Sequence, residues 1–147
     1  MRIESIEEPS DELREAVYVQ LRTHNQTSNP EWWWARELPE NDPRPLNLFA
    51  FGEDGAVTGG LFATTQFSWL KIDIMAVEKD RRGEGIGHAL LAEAEEIARA
   101  RGCKYAFTDT MDYQAPEFYK SAGYKVAGEI ADWDSHGHRK SFFVKDL

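Results

Sequence analysis

Between Trp69 and Arg101 the chain changes its period, and this change limits the fold more than any other feature of the sequence. In WLKIDIMAV, Leu70, Ile72, Ile74 and Ala76 alternate with Trp69, Lys71, Asp73, Met75 and Val77. One face is fully apolar and the other mixed, the period-two pattern of a strand. From Gly85 the period becomes helical: Ile86, Leu90, Ala94, Ile97 and Ala98 form one stripe, and Glu93, Glu95, Glu96 and Arg99 lie outside it. Gly102 stops the helix, and KYAFTDT resumes as a strand. A helix between two strands is long enough as a connection to let those strands pair in parallel.

The flanks complete the pattern. Arg2 to Ile6 reads as a short strand, and Pro9-Ser10-Asp11-Glu12 as the cap and acidic first turn of a helix running to about Arg22. Trp32-Trp33-Trp34 and the prolines at 39, 43 and 45 read as an irregular stretch. LNLFAF, AVTGGLFATTQF and WLKIDIMAV then form an antiparallel meander. A short helix from about Gln114 to Ala122, stopped by Gly123, and two strands, YKVAGEIA and HRKSFFVKDL, follow. The expected class is α/β with a mixed sheet, and 147 residues suit one domain spanning 1–147.

Composition excludes several functions. With 26 acidic against 17 basic residues and a formal charge of -9, the surface repels polyanions, which argues against nucleic acid or an anionic membrane as partner. Cys103 is the one cysteine, so no internal disulfide and no multi-cysteine zinc site can form, which fits a reducing cytoplasm. MRIESIEEPS lacks an apolar signal region, and the uncharged run from Gly55 to Leu70 is broken by Gly, Thr, Gln and Ser, so no membrane crossing is expected. A calcium loop beginning at Asp132 would need Glu where Phe143 stands, and His136 and His138 lack a third ligand. No metal is expected.

Against this acidic background, DRRGEGIGHA at 80–89 gathers two arginines and three alternate glycines between a strand and a helix. Free N–H groups and the dipole at a helix N-terminus attract an anion. Gly83, Gly85 and Gly87 allow close main-chain approach and positive φ, while Arg81 and Arg82 can add charge-assisted bonds. A phosphate or pyrophosphate is the natural ligand. A dinucleotide fingerprint would need a third glycine where His88 stands, and the G-K-[ST] of a P-loop is absent. Arg82-Gly83-Glu84-Gly85-Ile86-Gly87 does fit [Q/R]-x-x-G-x-[G/A], and so resembles the pyrophosphate-binding motif of the GNAT superfamily of acyl-CoA-dependent N-acyltransferases. QAPEFYKSAGY at 114–124 resembles the second signature of that family, and the agreement in order and spacing extends over roughly residues 46–147.

The resemblance implies a single GNAT-like domain whose mixed central sheet has splayed central strands flanked by helices. It implies an N-acetyltransferase passing an acetyl group from acetyl-CoA to a primary amine by direct attack. The pyrophosphate would lie on the turn formed by Arg81, Arg82, Gly83, Glu84, Gly85, Ile86 and Gly87, with His88 in the first helical turn. The pantetheine arm would pair with the main chain of Met75, Ala76 and Val77, and Gln114 and Phe118 would flank the cofactor. Tyr119 matches the tyrosine that protonates the departing thiolate in many relatives, and main-chain N–H near Val77 would polarise the carbonyl. Asp73 and Asp109 are candidate bases by their expected place near strand ends, or else surface carboxylates or helix-capping groups. Trp32, Trp33 and Trp34 read either as a substrate wall or as ordinary packing. A small-molecule amine is the expected acceptor, with a cationic one favoured by the acidic charge. A homodimer is compatible with the resemblance. The alternatives are a protein or peptide acetyltransferase, and a non-catalytic module that binds acyl-CoA as a sensor.

Overall fold

The computed structural model describes all residues 1–147, which divide into two compact units, Met1–Asp42 and Pro43–Leu147. In the first, helix α1 spans Asp11–Ser28. Ser10 caps it, its hydroxyl accepting from Leu13 N at 3.3 Å, and Asp11 and Glu12 face the positive end of the dipole. The helix runs past the expected end at Arg22 and stops at Asn29, which also starts α2, Pro30–Arg36. The Asn29 side chain accepts from Trp32 N at 3.2 Å, and Pro30 fills the first helical position, where no N–H is needed. The three tryptophans are therefore helical and not irregular, because a cap and an N-terminal proline precede them. Arg2 to Ile6 forms no strand: none of the six strands pairs with it, and an extended segment without a neighbour has no ladder to hold it.

The second unit holds the α/β fold. Its elements are β1 (Arg44–Phe51), β2 (Val57–Gln66), β3 (Trp69–Val77), α3 (Ile86–Ala100), β4 (Tyr105–Met111), α4 (Pro116–Ser121), β5 (Lys125–Ile130) and β6 (Lys140–Asp146). The sheet order is β1-β2-β3-β4-β6-β5, with only β3 and β4 parallel, joined through α3. Leu61, Leu70 and Phe143 are wholly buried, and Ala94 and Ala98 of α3 are as closely enclosed. Small side chains on the inner face of α3 let it sit close on β1, β2 and β3.

Two departures from the sequence pattern matter. Glu95, expected on the solvent side of α3, is buried, and both its oxygens bind Lys145 Nζ, at 2.9 and 2.8 Å. Arg99 reaches the same carboxylate at 3.4 Å, and the buried Tyr124 hydroxyl lies beside it without a hydrogen bond of good geometry. A charge at this position is tolerated because β6 supplies its partner. The second departure is in β3. Phe62 pairs with Ile74 and Ala63 with Ile72, so Asp73 is an extra residue, a bulge that reverses the faces beyond it. Leu70 and Ile72 point into the core, whereas Ile74 is exposed and Met75 turns inward in its place.

Candidate active site

The bulge stands at the point where β3 and β4 part. Their ladder holds only from Trp69–Tyr105 to Lys71–Phe107, although the strands continue to Val77 and Met111. Thr108 makes the last link, its hydroxyl donating to the Ile72 carbonyl at 3.3 Å. Beyond it, β3 pairs with β2 on one side and with no strand on the other, so main-chain groups from Asp73 to Val77 face an opening. That opening is a cleft of about 800 Å³ lined wholly by residues of the second unit.

One wall is the strand end, Asp73, Ile74, Met75, Ala76 and Val77, and the turn that follows it, with Arg81, Arg82, Gly83, Gly85, Ile86, Gly87 and His88. Gly83 and Gly85 adopt φ of +86° and +85°, conformations that L side chains rarely enter, and nothing lies within 4 Å of where a Cβ would stand. The main chain there is open to a ligand. Gly87 is needed for a different reason: a Cβ would meet Phe118 Cε2 at 3.2 Å, so the glycine lets α3 and α4 close on each other. His88 supports the same junction, its ring edge-on to Phe118 at 4.7 Å and its Nε2 3.3 Å from Ser121 Oγ. Arg82 donates from Nε to the Val77 carbonyl at 3.2 Å, fixing the turn to the strand end and using one of its five donors. Glu84 is the one expected cofactor residue off the cleft wall; its carboxylate holds Arg81 Nε at 2.9 and 3.0 Å.

The other wall comes from β4 and α4: Thr108, Asp109, Thr110, Tyr113, Gln114, Ala115, Phe118 and Tyr119. Gln114 Oε1 accepts from Met111 N at 2.8 Å and from the Thr110 hydroxyl at 3.3 Å, finishing β4 and starting α4. Tyr119 is 5% exposed, and burial pushes its hydroxyl above the usual phenol range. A hydrogen bond with Thr108 pulls the other way, and the Asp109 charge adds to the rise. The group stays protonated at neutral pH, as a proton donor must. Both expected bases line the cleft and both are ion-paired, Asp73 with Lys71 at 3.1 Å and Asp109 with Lys140 at 2.8 Å.

Trp32, Trp33 and Trp34 lie on α2 in the first unit, where the Arg36 guanidinium sits 5.7 Å from the Trp32 ring and 5.4 Å from that of Trp33. The 132–138 segment is a turn held by its own carboxylates. Asp132 Oδ1 accepts from Gly137 N at 2.7 Å, and Asp134 Oδ1 from His136 N at 2.9 Å. His138 pairs with Asp112 at 2.9 Å, and its ring packs edge-on against Tyr113 of the cleft wall. Ile74, Thr108, Thr110, Tyr113 and Ala115 also line the cleft, beyond the residues expected there. Thr108 and Thr110 stand in KYAFTDT at the same period as Ala106, and their inward phase was the available signal.

The acetyltransferase (GNAT) family model matches residues 6–124. A blasticidin-S acetyltransferase of Streptomyces morookaense is 37% identical over 131 residues, covering 86% of this chain and 96% of the relative. The crystal structure of an acetyltransferase from Bacillus cereus superposes with a TM-score of 0.76 at 31% identity, covering 98% of both chains. An aminoglycoside 6'-N-acetyltransferase solved with coenzyme A shares the fold at a TM-score of 0.62 and 18% identity, over 99% of this chain and 97% of that one.

Proposed function

This chain belongs to the acetyltransferase (GNAT) family, and from that premise we propose that it transfers the acetyl group of acetyl-CoA to a primary amine of a small molecule. One observation carries the reading: the splay of β3 from β4 joins the open glycine turn and the protonated Tyr119 hydroxyl in one cleft. The open main chain at Gly83 and Gly85, with Arg82 anchored beside it, suits a pyrophosphate. The unpaired edge of Met75, Ala76 and Val77 suits the amides of a pantetheine arm. Acetyl-CoA supplies an activated acyl group.

The residues of the chain then divide the work. Main-chain N–H near Val77 polarises the acyl oxygen. Tyr119 gives its proton to the departing thiolate, and its raised pKa keeps that proton available. Asp73 and Asp109 place negative charge where the acceptor ammonium arrives and receive its proton through water. Residues 1–147 are read as one N-acetyltransferase domain in the cytoplasm. The likeness to a blasticidin-S acetyltransferase supports a small-molecule acceptor. Thiol release from acetyl-CoA, measured against blasticidin S, other small amines and a short basic peptide, tests this. Turnover with a small amine is expected; turnover with the peptide alone would refute the acceptor class.

A further inference from the structure

The Asp109 carboxylate on the cleft wall already holds an amine. Lys140, at the start of β6, places Nζ 2.8 Å from Asp109 Oδ1, 4.7 Å from the centre of the Trp133 ring and 5.8 Å from that of Phe142. Trp133 and Phe142 meet edge-on at 6.1 Å, so one carboxylate and two aromatic rings surround the ammonium. The Lys140 side chain is 20% exposed, unlike a solvated surface lysine. The Asp109 charge also reaches the Tyr119 hydroxyl, and both residues line the cleft, so the carboxylate that holds Lys140 shares that cleft with the proposed proton donor.

We propose that Lys140 is a self-acetylation site. The inference rests on acetyl-CoA occupying the cleft as described above. Asp109, in direct contact with Nζ, takes one proton from the Lys140 ammonium, and the free Nζ attacks the thioester carbon. A C–N bond forms and the C–S bond breaks as Tyr119 protonates the thiolate sulfur. A second proton leaves the nitrogen as the amide forms and restores Tyr119, so the step consumes acetyl-CoA and yields an acetyl-lysine, CoA thiol and one proton to solvent. An amine tethered to a carboxylate of the cleft reacts at a high effective concentration, which the exposed Lys104 and Lys125 lack. The product is neutral, so it releases Asp109 and leaves a free carboxylate on the wall.

The test incubates the full chain with acetyl-CoA and no acceptor, then maps acetyl groups by peptide mass spectrometry. One acetyl group on Lys140 is expected, appearing at least about tenfold faster than on the exposed Lys104 and Lys125, at a rate per chain independent of protein concentration. Lys140→Arg should remove the mark, and the wild-type concentration dependence stands as evidence even if that variant folds poorly. Modification of Lys140 no faster than of Lys104 and Lys125, or equally fast in urea-unfolded chain, would overturn the proposal while acetyl-CoA binding and amine turnover remain. Failure of acetyl-CoA to bind would overturn both this proposal and the function it rests on.

Discussion

Replacing Gly85 by asparagine and by aspartate separates the backbone role of the turn from its electrostatic one. Gly85 stands at φ +85° just ahead of α3, with open space where a Cβ would be. Both side chains tolerate the left-handed region better than other residues and have nearly the same shape. Each variant should lose at most about 1–2 kcal/mol of stability, the cost of left-handed backbone for an L-residue. The two differ by one negative charge on the open turn. If a pyrophosphate sits there at about 4 Å, that charge costs about 1 kcal/mol at full water screening and about 4 kcal/mol near a protein surface. The Asp variant should therefore bind acetyl-CoA about 5- to 1,000-fold more weakly than the Asn variant, and added salt should narrow the gap. Calorimetric titration measures the difference and thermal unfolding checks that the two variants are equally folded. Affinities within twofold of each other would refute a phosphate site on this turn.

Other consequences follow from the same geometry. Tyr119→Phe keeps the buried ring and removes the acid; turnover should fall about a hundredfold with acetyl-CoA affinity unchanged. Glu95→Ala removes the buried partner of the half-buried Lys145 and should cost about 1–3 kcal/mol, lowering the melting temperature by about 2–12 °C in a scanning experiment. Burial, and for Tyr124 the adjacent Glu95 carboxylate, raise the Tyr119 and Tyr124 hydroxyls above their unfolded values. Their contribution to stability is then complete below about pH 10 and is lost as pH rises past it, by about 1.4 kcal/mol per pH unit for each tyrosine. Tyr124→Phe should make the alkaline limb of a denaturation profile shallower.

The sequence carried much of this. The change from period two to a helical stripe after Trp69 marked β3, α3 and β4 within a residue or two, and the glycine spacing with its two arginines marked the turn on the cleft wall. Alternation failed where the chain itself breaks it. The Asp73 bulge is set by pairing with β2, a partner 11 residues away from Asp73 at Phe62, and no local pattern shows that Ile74 turns outward. Glu95 looked solvated because the Lys145 that neutralises it lies 50 residues on. The surroundings of Lys140 were invisible for the same reason: its carboxylate belongs to β4, and the nearer of its two aromatic rings, Trp133, to the turn before β6. Arg2 to Ile6 had strand composition, but composition supplies no neighbouring strand.

The central claim is that the cleft between β3 and β4 binds acetyl-CoA, and calorimetric titration of the purified chain with acetyl-CoA, NADH and ATP tests it most directly. Selective binding of acetyl-CoA in the micromolar range, about -8 kcal/mol, is the expected result. Absence of binding, or equal binding of NADH, would contradict it.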